Sequence, residues 1–292
     1  MANDPAPAVT HADILDAARR LAGRIERTPM RHSRTLSERT GADIWIKYEN
    51  QHETGAFKER GALNRLLQLT SDEKRRGVIA ASAGNHAQSL AHHASELGVP
   101  SVIVMPRGTP NVKIESTRAR GAEIVIEGET FDDASAHALQ LRDERDLVFV
   151  PAFNDARVIA GQGTVALEML ADAPDLDVLV VPIGGGGLIA GMAIAAKALK
   201  PSIRIIGVEA AIYPSFTARG RGERVTGGQT IAEGIAIKQI GDIPYSLAHT
   251  LIEEVILVDE PTFERAIALY ISAEKTVAEG AGAATLAAVL TA

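Results

Sequence analysis

Three short stretches of the chain carry residues that could do chemistry, and each sits where a helix would begin. Gly184-Gly185-Gly186-Gly187 follows the apolar run Val178-Leu-Val-Val-Pro-Ile183 and precedes Leu188-Ile-Ala-Gly191. Strand, glycine loop and helix in that order make an anion cradle: with no Cβ in the way, backbone N–H groups converge on a ligand at the positive helix end. A tight turn packed with glycines is the plainer reading, although four in a row exceed what a turn needs. Gly185, Gly187 and Ala190 also satisfy G-x-G-x-x-A, and Glu209 closes the next strand near where a ribose-binding acid would sit, so a dinucleotide site is a rival. The second stretch, Asn50-Gln-His-Glu-Thr-Gly-Ala-Phe-Lys58-Glu-Arg-Gly61, puts Lys58 in a first helical turn. The helix dipole disfavours a cation there and lowers its pKa, and a desolvated neutral amine is what imine formation with a carbonyl cofactor requires. A solvated surface lysine is the ordinary alternative. The third, Ala81-Ser82-Ala83-Gly84-Asn85-His86, offers backbone amides at a helix start for a carboxylate and an Asn side chain that can donate to a phenolate-type oxygen. An ordinary Ser/Asn cap would look the same, and His86 without an evident carboxylate partner reads as a core or capping histidine.

The elements that must position these loops alternate. Short β-branched runs at 44–47, 77–80, 102–105, 123–126, 148–150, 178–183, 203–208 and 255–258 predict strands. Apolar residues at three and four spacing predict helices over 10–22, 57–69, 86–97, 110–120, 131–142, 156–171, 188–199 and 261–279. Alternation implies right-handed βαβ crossovers, so the fold class is α/β, with open, mostly parallel sheets flanked by helices. That many strands is a lot for one sheet, which divides the chain into a larger unit, 1–75 with 153–292, and a smaller one, 76–152, inserted in it. The segment 213–245, rich in Gly and Arg, predicts a long irregular excursion near a site.

Composition narrows the function. The 292 residues hold 46% hydrophobic and 23% charged side chains, enough for a sizeable core. A net charge of −7 without a basic block argues against a nucleic-acid partner. The absence of cysteine excludes disulfides, thiolate nucleophiles, Fe–S clusters and Cys-type zinc sites. Met1–Pro7 has no basic stretch followed by an apolar one, and no long uncharged apolar run follows, so a cytoplasmic protein with no membrane partner is expected.

Taken in order, the lysine, the Ser-x-Gly-Asn-His loop and the glycine tetrad resemble the pyridoxal-phosphate enzymes of fold type II, of tryptophan synthase β-like architecture. The resemblance is strongest to short, catabolic-type threonine/serine dehydratases, with serine racemase a near relative. It runs through Thr54–Lys58, Ser82–Gln88, Val158-Ile-Ala-Gly-Gln-Gly-Thr164, Gly184–Gly191, Thr230-Ile-Ala-Glu-Gly234 and Glu279-Gly-Ala-Gly-Ala283. It implies that Lys58 carries pyridoxal 5'-phosphate and later acts as the base at Cα. Phe57 would pack near the cofactor, Asn85 would bond the ring 3′-oxygen, Gly184, Gly185, Gly186 and Gly187 would bind the phosphate, Gly234 would lie on the ring's other face and Glu279 at its edge. Ser82, Ala83, Gly84, Asn85 and the backbone through His86 would hold the substrate carboxylate. The implied reaction is α,β-elimination: threonine to 2-oxobutanoate and ammonia, serine to pyruvate and ammonia, the cofactor phosphate supplying the proton that leaves with the hydroxyl. A homodimer is the family-level expectation.

Three features depart from the family pattern. Ala83 stands where racemase-type members have a second serine, which favours elimination over racemisation. Glu209 is followed by Ala-Ala-Ile-Tyr-Pro-Ser-Phe with no second acid, so a racemase-type Mg²⁺ site is not expected, although Glu209 stays a candidate ligand and a monovalent or divalent cation stays open. Family members continue past the Glu279 helix to a serine facing the pyridine nitrogen, whereas here the sequence stops at Ala292; without a substitute, cofactor binding and activity are expected to weaken. Dehydratases of hydroxyaspartate or hydroxyectoine derivatives, and a weakened cofactor-binding relative, are the alternatives.

Overall fold

The computed structural model describes residues 9–291; the N-terminal stretch expected to lack a leader and Ala292 lie outside it. Nine strands form three sheets. β1 (Met30–His32) and β2 (Trp45–Lys47) make an antiparallel pair; β3 (Val78–Ala81), β4 (Ser101–Met105), β5 (Glu123–Ile126) and β6 (Val148–Phe149) make a four-stranded sheet in the order β5-β4-β3-β6; β7 (Val178–Pro182), β8 (Arg204–Ala210) and β9 (Glu254–Val258) make a three-stranded sheet. Every pair in the two larger sheets is parallel, with Val78 opposite Ser101 and Val178 opposite Arg204. The α/β expectation therefore holds, and every strand between 78 and 149 belongs to one sheet.

Parallel strands covered on both faces need apolar residues at odd and even positions alike. In β3 and β4, Val78, Ala80, Ile103 and Met105 enter one core while Ile79, Ala81, Val102 and Val104 enter another on the opposite face. In the three-stranded sheet Leu179, Val181 and Ile205 face a core shared with helices Ala156–Asp172 and Gly187–Leu199, and Val208, Ala210 and Val258 face a second core built on helix Gly280–Val289. The helix-on-helix layer is drawn tight by glycine: a Cβ on Gly163 would lie 2.8 Å from the Gly191 carbonyl oxygen, and one on Gly161 would lie 2.5 Å from that of Arg60.

One strand lies outside those expected, and two expectations need correction. Met30–His32 pairs as a strand, although two of its three residues are polar and exposed. Segment 213–245 is not irregular throughout: it holds helices Ser215–Arg221 and Asp242–Ala248 and a 3-10 turn at Glu233–Ile235. The helix expected over 261–279 runs only from Glu260 to Leu269, passes through a π turn at Tyr270–Glu274 and ends at left-handed Lys275. Tertiary bonds pull it off course: Glu274 accepts from Ser33 Oγ and from Tyr48 OH at 2.9 Å, and Asn50 Nδ2 donates to Thr276 Oγ1 at 3.0 Å.

Candidate active site

Both loops that open a helix lie at the carboxyl ends of parallel strands, where side chains and helix N-termini converge on the crevice of an open α/β sheet. β3 runs into Ser82-Ala83-Gly84 and helix Asn85–Glu96; β7 runs through Ile183 into the glycine tetrad and helix Gly187–Leu199. Lys58 is the first residue of helix Lys58–Leu66, as expected. Its half-buried side chain lays Nζ 3.0 Å from the Ala152 carbonyl oxygen, to which it donates, and 5.3 Å from the centre of the Phe57 ring. Burial holds the ammonium down from 10.5 to about 8, against the opposing pull of the Glu279 carboxylate. The direction is the one anticipated for Lys58, but desolvation leads.

The remaining candidates connect to this amine through Glu279, whose carboxylate acts on it. Asn85 Nδ2 donates to Glu279 Oε1 at 2.7 Å. A Cβ on Gly234 would stand 3.2 Å from that same oxygen, and one on Gly184 would stand 3.3 Å from the Gly234 carbonyl, so Asn85, Glu279, Gly234 and Gly184 follow one another in space. Burial raises the Glu279 pKa, opposed by the Asn85 bond and by Lys113. Ser82 Oγ accepts from the Gly84 amide at 3.3 Å and is the least connected member. His86 is buried, its Nε2 2.8 Å from the Val150 carbonyl; burial lowers its pKa to about 4, which makes it a neutral core histidine.

One segment that sequence reasoning passed over backs the whole arrangement. Val150–Asn154, between β6 and helix Ala156–Asp172, offers the Val150 carbonyl to His86 and the Ala152 carbonyl to Lys58. Phe153 presses its ring on the glycine loop so closely that a Cβ on Gly185 would fall 2.1 Å from it, and Asn154 Oδ1 accepts from the Ile243 amide at 3.0 Å. Its one signal in the sequence is Asp155, which caps the following helix through the amides of Arg157 and Val158.

Glu209 has a different occupation from those considered for it. Its buried carboxylate accepts from the Phe216 amide at 2.6 Å, the Thr217 hydroxyl at 2.7 Å, the Thr217 amide at 3.2 Å and the Ser215 hydroxyl at 3.4 Å, so both oxygens cap helix Ser215–Arg221. Burial pushes its pKa up while those donors resist. Ser215 Oγ also donates to the Gly184 carbonyl at 3.1 Å, which ties Glu209 to the glycine loop as a positioning group. A cavity of about 640 Å³ opens beside Thr230–Glu233, lined also by Tyr213 and Glu260.

Residues 21–292 match the family described as "Pyridoxal-phosphate dependent enzyme". The chain belongs to the pyridoxal-phosphate dependent enzymes. It is 47% identical over 285 residues to an L-threonine ammonia-lyase of Thermotoga maritima, a match covering 97% of this chain and 71% of the relative. It is 41% identical over 281 residues to the catabolic L-threonine dehydratase TdcB of Escherichia coli K12, covering 95% and 85%. The solved structure of maize serine racemase superimposes with a TM-score of 0.93 at 33% identity, covering 97% of this chain and 87% of that one. These likenesses meet the fold type II expectation.

The residues of this pyridoxal-phosphate dependent enzyme fit the group its family uses. The amides of buried Gly184, Gly185 and Gly186 meet no protein acceptor among the described residues, and they stand at the N-terminus of a 13-residue helix, the setting in which backbone donors hold a phosphate. Lys58, bonded to Ala152 next to the Phe153 that packs on this loop, supplies an amine softened toward its neutral form. Among the described residues no helix is long and apolar enough to cross a membrane.

Proposed function

We propose that the chain is an ammonia-lyase that converts threonine to 2-oxobutanoate and ammonia, and serine to pyruvate and ammonia. The observation that carries this reading is the pKa-lowered amine of Lys58, bonded to Ala152 beside the Phe153 ring that packs on the glycine loop, in a chain 47% identical to an L-threonine ammonia-lyase. Pyridoxal phosphate supplies, when bound, a conjugated electron sink for the charge left at Cα. Lys58 would hold the cofactor through its aldehyde carbon, and its amine is the base that would take the Cα proton. Gly184, Gly185, Gly186 and Gly187 grip the phosphate; Asn85 donates to the ring oxygen, with Glu279 orienting its amide through the 2.7 Å bond. Phe57 and Gly234 would bound the cofactor ring. Ser82 through its hydroxyl, and the backbone of Ala83, Gly84, Asn85 and His86 at the start of a 12-residue helix, would hold the substrate carboxylate; the Ser82 amide itself is taken by the Val104 carbonyl at 3.1 Å. His86, neutral and bonded to Val150, anchors that helix start. Residues 76–152 form the smaller unit, inserted in the larger one, 1–75 with 153–292.

A racemase reading rests on the likeness to maize serine racemase. Ala83 weighs against it, since a methyl group cannot deliver a proton to the second face of Cα. The test is product analysis on a panel of β-hydroxy amino acids with Lys58→Ala as control. Release of 2-oxobutanoate and pyruvate, with D-serine a trace, supports the proposal. Release of neither oxo acid defeats it, and D-serine formed as fast as pyruvate replaces it with the racemase.

A further inference from the structure

At the far end of helix Asn85–Glu96 from the site, His92, His93 and Glu96 place their donor atoms within 4.8 Å of one another, the one such group among the described residues. We infer that this cluster binds a divalent cation of the zinc, cobalt or nickel type.

The argument begins with His93, whose side chain is 3% exposed. Nε2 lies 3.2 Å from a Glu59 oxygen and Nδ1 lies 2.9 Å from a Glu96 oxygen. A neutral imidazole has one N–H, so one of these carboxylates faces a ring lone pair. A cation held by His93 Nδ1, His92 Nε2 and Glu96 removes the conflict and leaves Nε2–H donating to Glu59, the carboxylate–histidine–metal order that fixes ring tautomer and orientation. Glu59 is itself anchored, since its other oxygen accepts from the Thr54 amide.

A second histidine points the same way. His52 is 1% exposed at the side chain, and its buried Nδ1 has no partner, standing 4.0 Å from the Glu59 oxygen that faces His93. His52, Glu59, His92, His93 and Glu96 share a cavity of about 270 Å³, whose rim adds Glu26 and Glu53. Carboxylates outnumber the single Arg24 on its wall, so a cation is drawn in. Two imidazoles and one carboxylate suit a borderline-soft ion with a fourth position open to water, whereas Mg²⁺ and Ca²⁺ demand oxygen.

The test uses holoenzyme, stripped with chelator and freed of unbound cofactor, titrated with Co²⁺ while the visible d–d band and the heat are followed. One equivalent per chain, a band typical of a four-coordinate N/O site, displacement by Zn²⁺ and indifference to excess Mg²⁺ are expected. His92→Ala with Glu96→Gln lowers the affinity by about tenfold or more, while His32→Ala, at an exposed histidine elsewhere, leaves it unchanged. If the double variant does not fold, Glu96→Gln alone, at an exposed carboxylate, must weaken the band. Absence of one-equivalent binding overturns the site, as would Co²⁺ affinity untouched by either variant.

Discussion

Lys58 sets the behaviour of the site because its amine sits where burial penalises charge. A pKa near 8 in place of 10.5 raises the neutral fraction at pH 7 by roughly a few hundred-fold. Capture of pyridoxal phosphate by apoenzyme, followed by the imine absorbance band, should therefore rise through pH 8 and level off; a midpoint near 10.5 would contradict the burial argument. The same shift has a sign for stability. The folded value lies below the unfolded one, so the buried ammonium costs stability below about pH 8, and the cost fades as pH climbs toward 10.5. Lys58→Met apoenzyme should accordingly show a higher urea midpoint than the parent at pH 7 and no borohydride-fixed adduct on that peptide. Lys58, Asn85 and the tetrad were legible because each stands at a strand-to-helix turn whose residue types announce their chemistry. Ala152 and Phe153 were not, since a backbone carbonyl and a packing ring act only through tertiary contact.

At the scale of elements, helix Lys58–Leu66 is held by an ion cluster that no periodicity reveals. Fully buried Arg60 bonds Glu49 through Nε at 2.7 Å and Glu168 through Nη1 at 2.6 Å, and both carboxylates are held below the ordinary range, burial opposing and Arg60 prevailing. Arg60→Met would strand two carboxylates inside, with Lys47 to relieve only Glu168, and should cost about 3–5 kcal/mol by urea unfolding. The glycine loop is a second case. Gly185→Ala drives a methyl into the Phe153 ring, so cofactor affinity should fall; Phe153→Ala added to it should recover part of the loss, because the two share one contact. If the double variant is as weak as the sum of the two, the clash is not the cause. Strand and helix alternation was readable because the buried parallel strands are short apolar runs rich in Val and Ile. Helices Arg34–Thr40 and Asp242–Ala248 were not: the first has Leu36 as its one buried residue, and the second carries Pro244 in its first turn.

At the scale of the molecule, the proposed unit 76–152 shares an apolar core with its neighbour, since Leu66, Leu69 and Val158 pack among Val78, Ala80, Ala87 and Leu90, and near the site the contacts across the division are polar. Lys113, on helix Asn111–Arg118 beside β5, bonds Glu233 on the turn beside Gly234, and Asn85 bonds Glu279. The partly exposed Lys113–Glu233 pair contributes at most about 1 kcal/mol to the resting fold, so it can open without melting either sheet. Its position is what matters, because Glu233 adjoins Gly234, which touches the Asn85 partner Glu279. The chain has no cysteine, so Lys113→Cys with Glu233→Cys introduces the sole thiols, and a short bifunctional maleimide will bridge them and nothing else. Were the proposed unit to swing away to admit substrate, this bridge would tether it, and the bridged enzyme should keep its cofactor absorbance while kcat/KM falls by an order of magnitude or more; each single-cysteine protein, capped with a monofunctional maleimide, should stay near the parent rate. Full turnover by the bridged protein would mean that substrate enters with the two sheets fixed, and the inserted unit would then be a scaffold for Asn85 rather than a moving jaw.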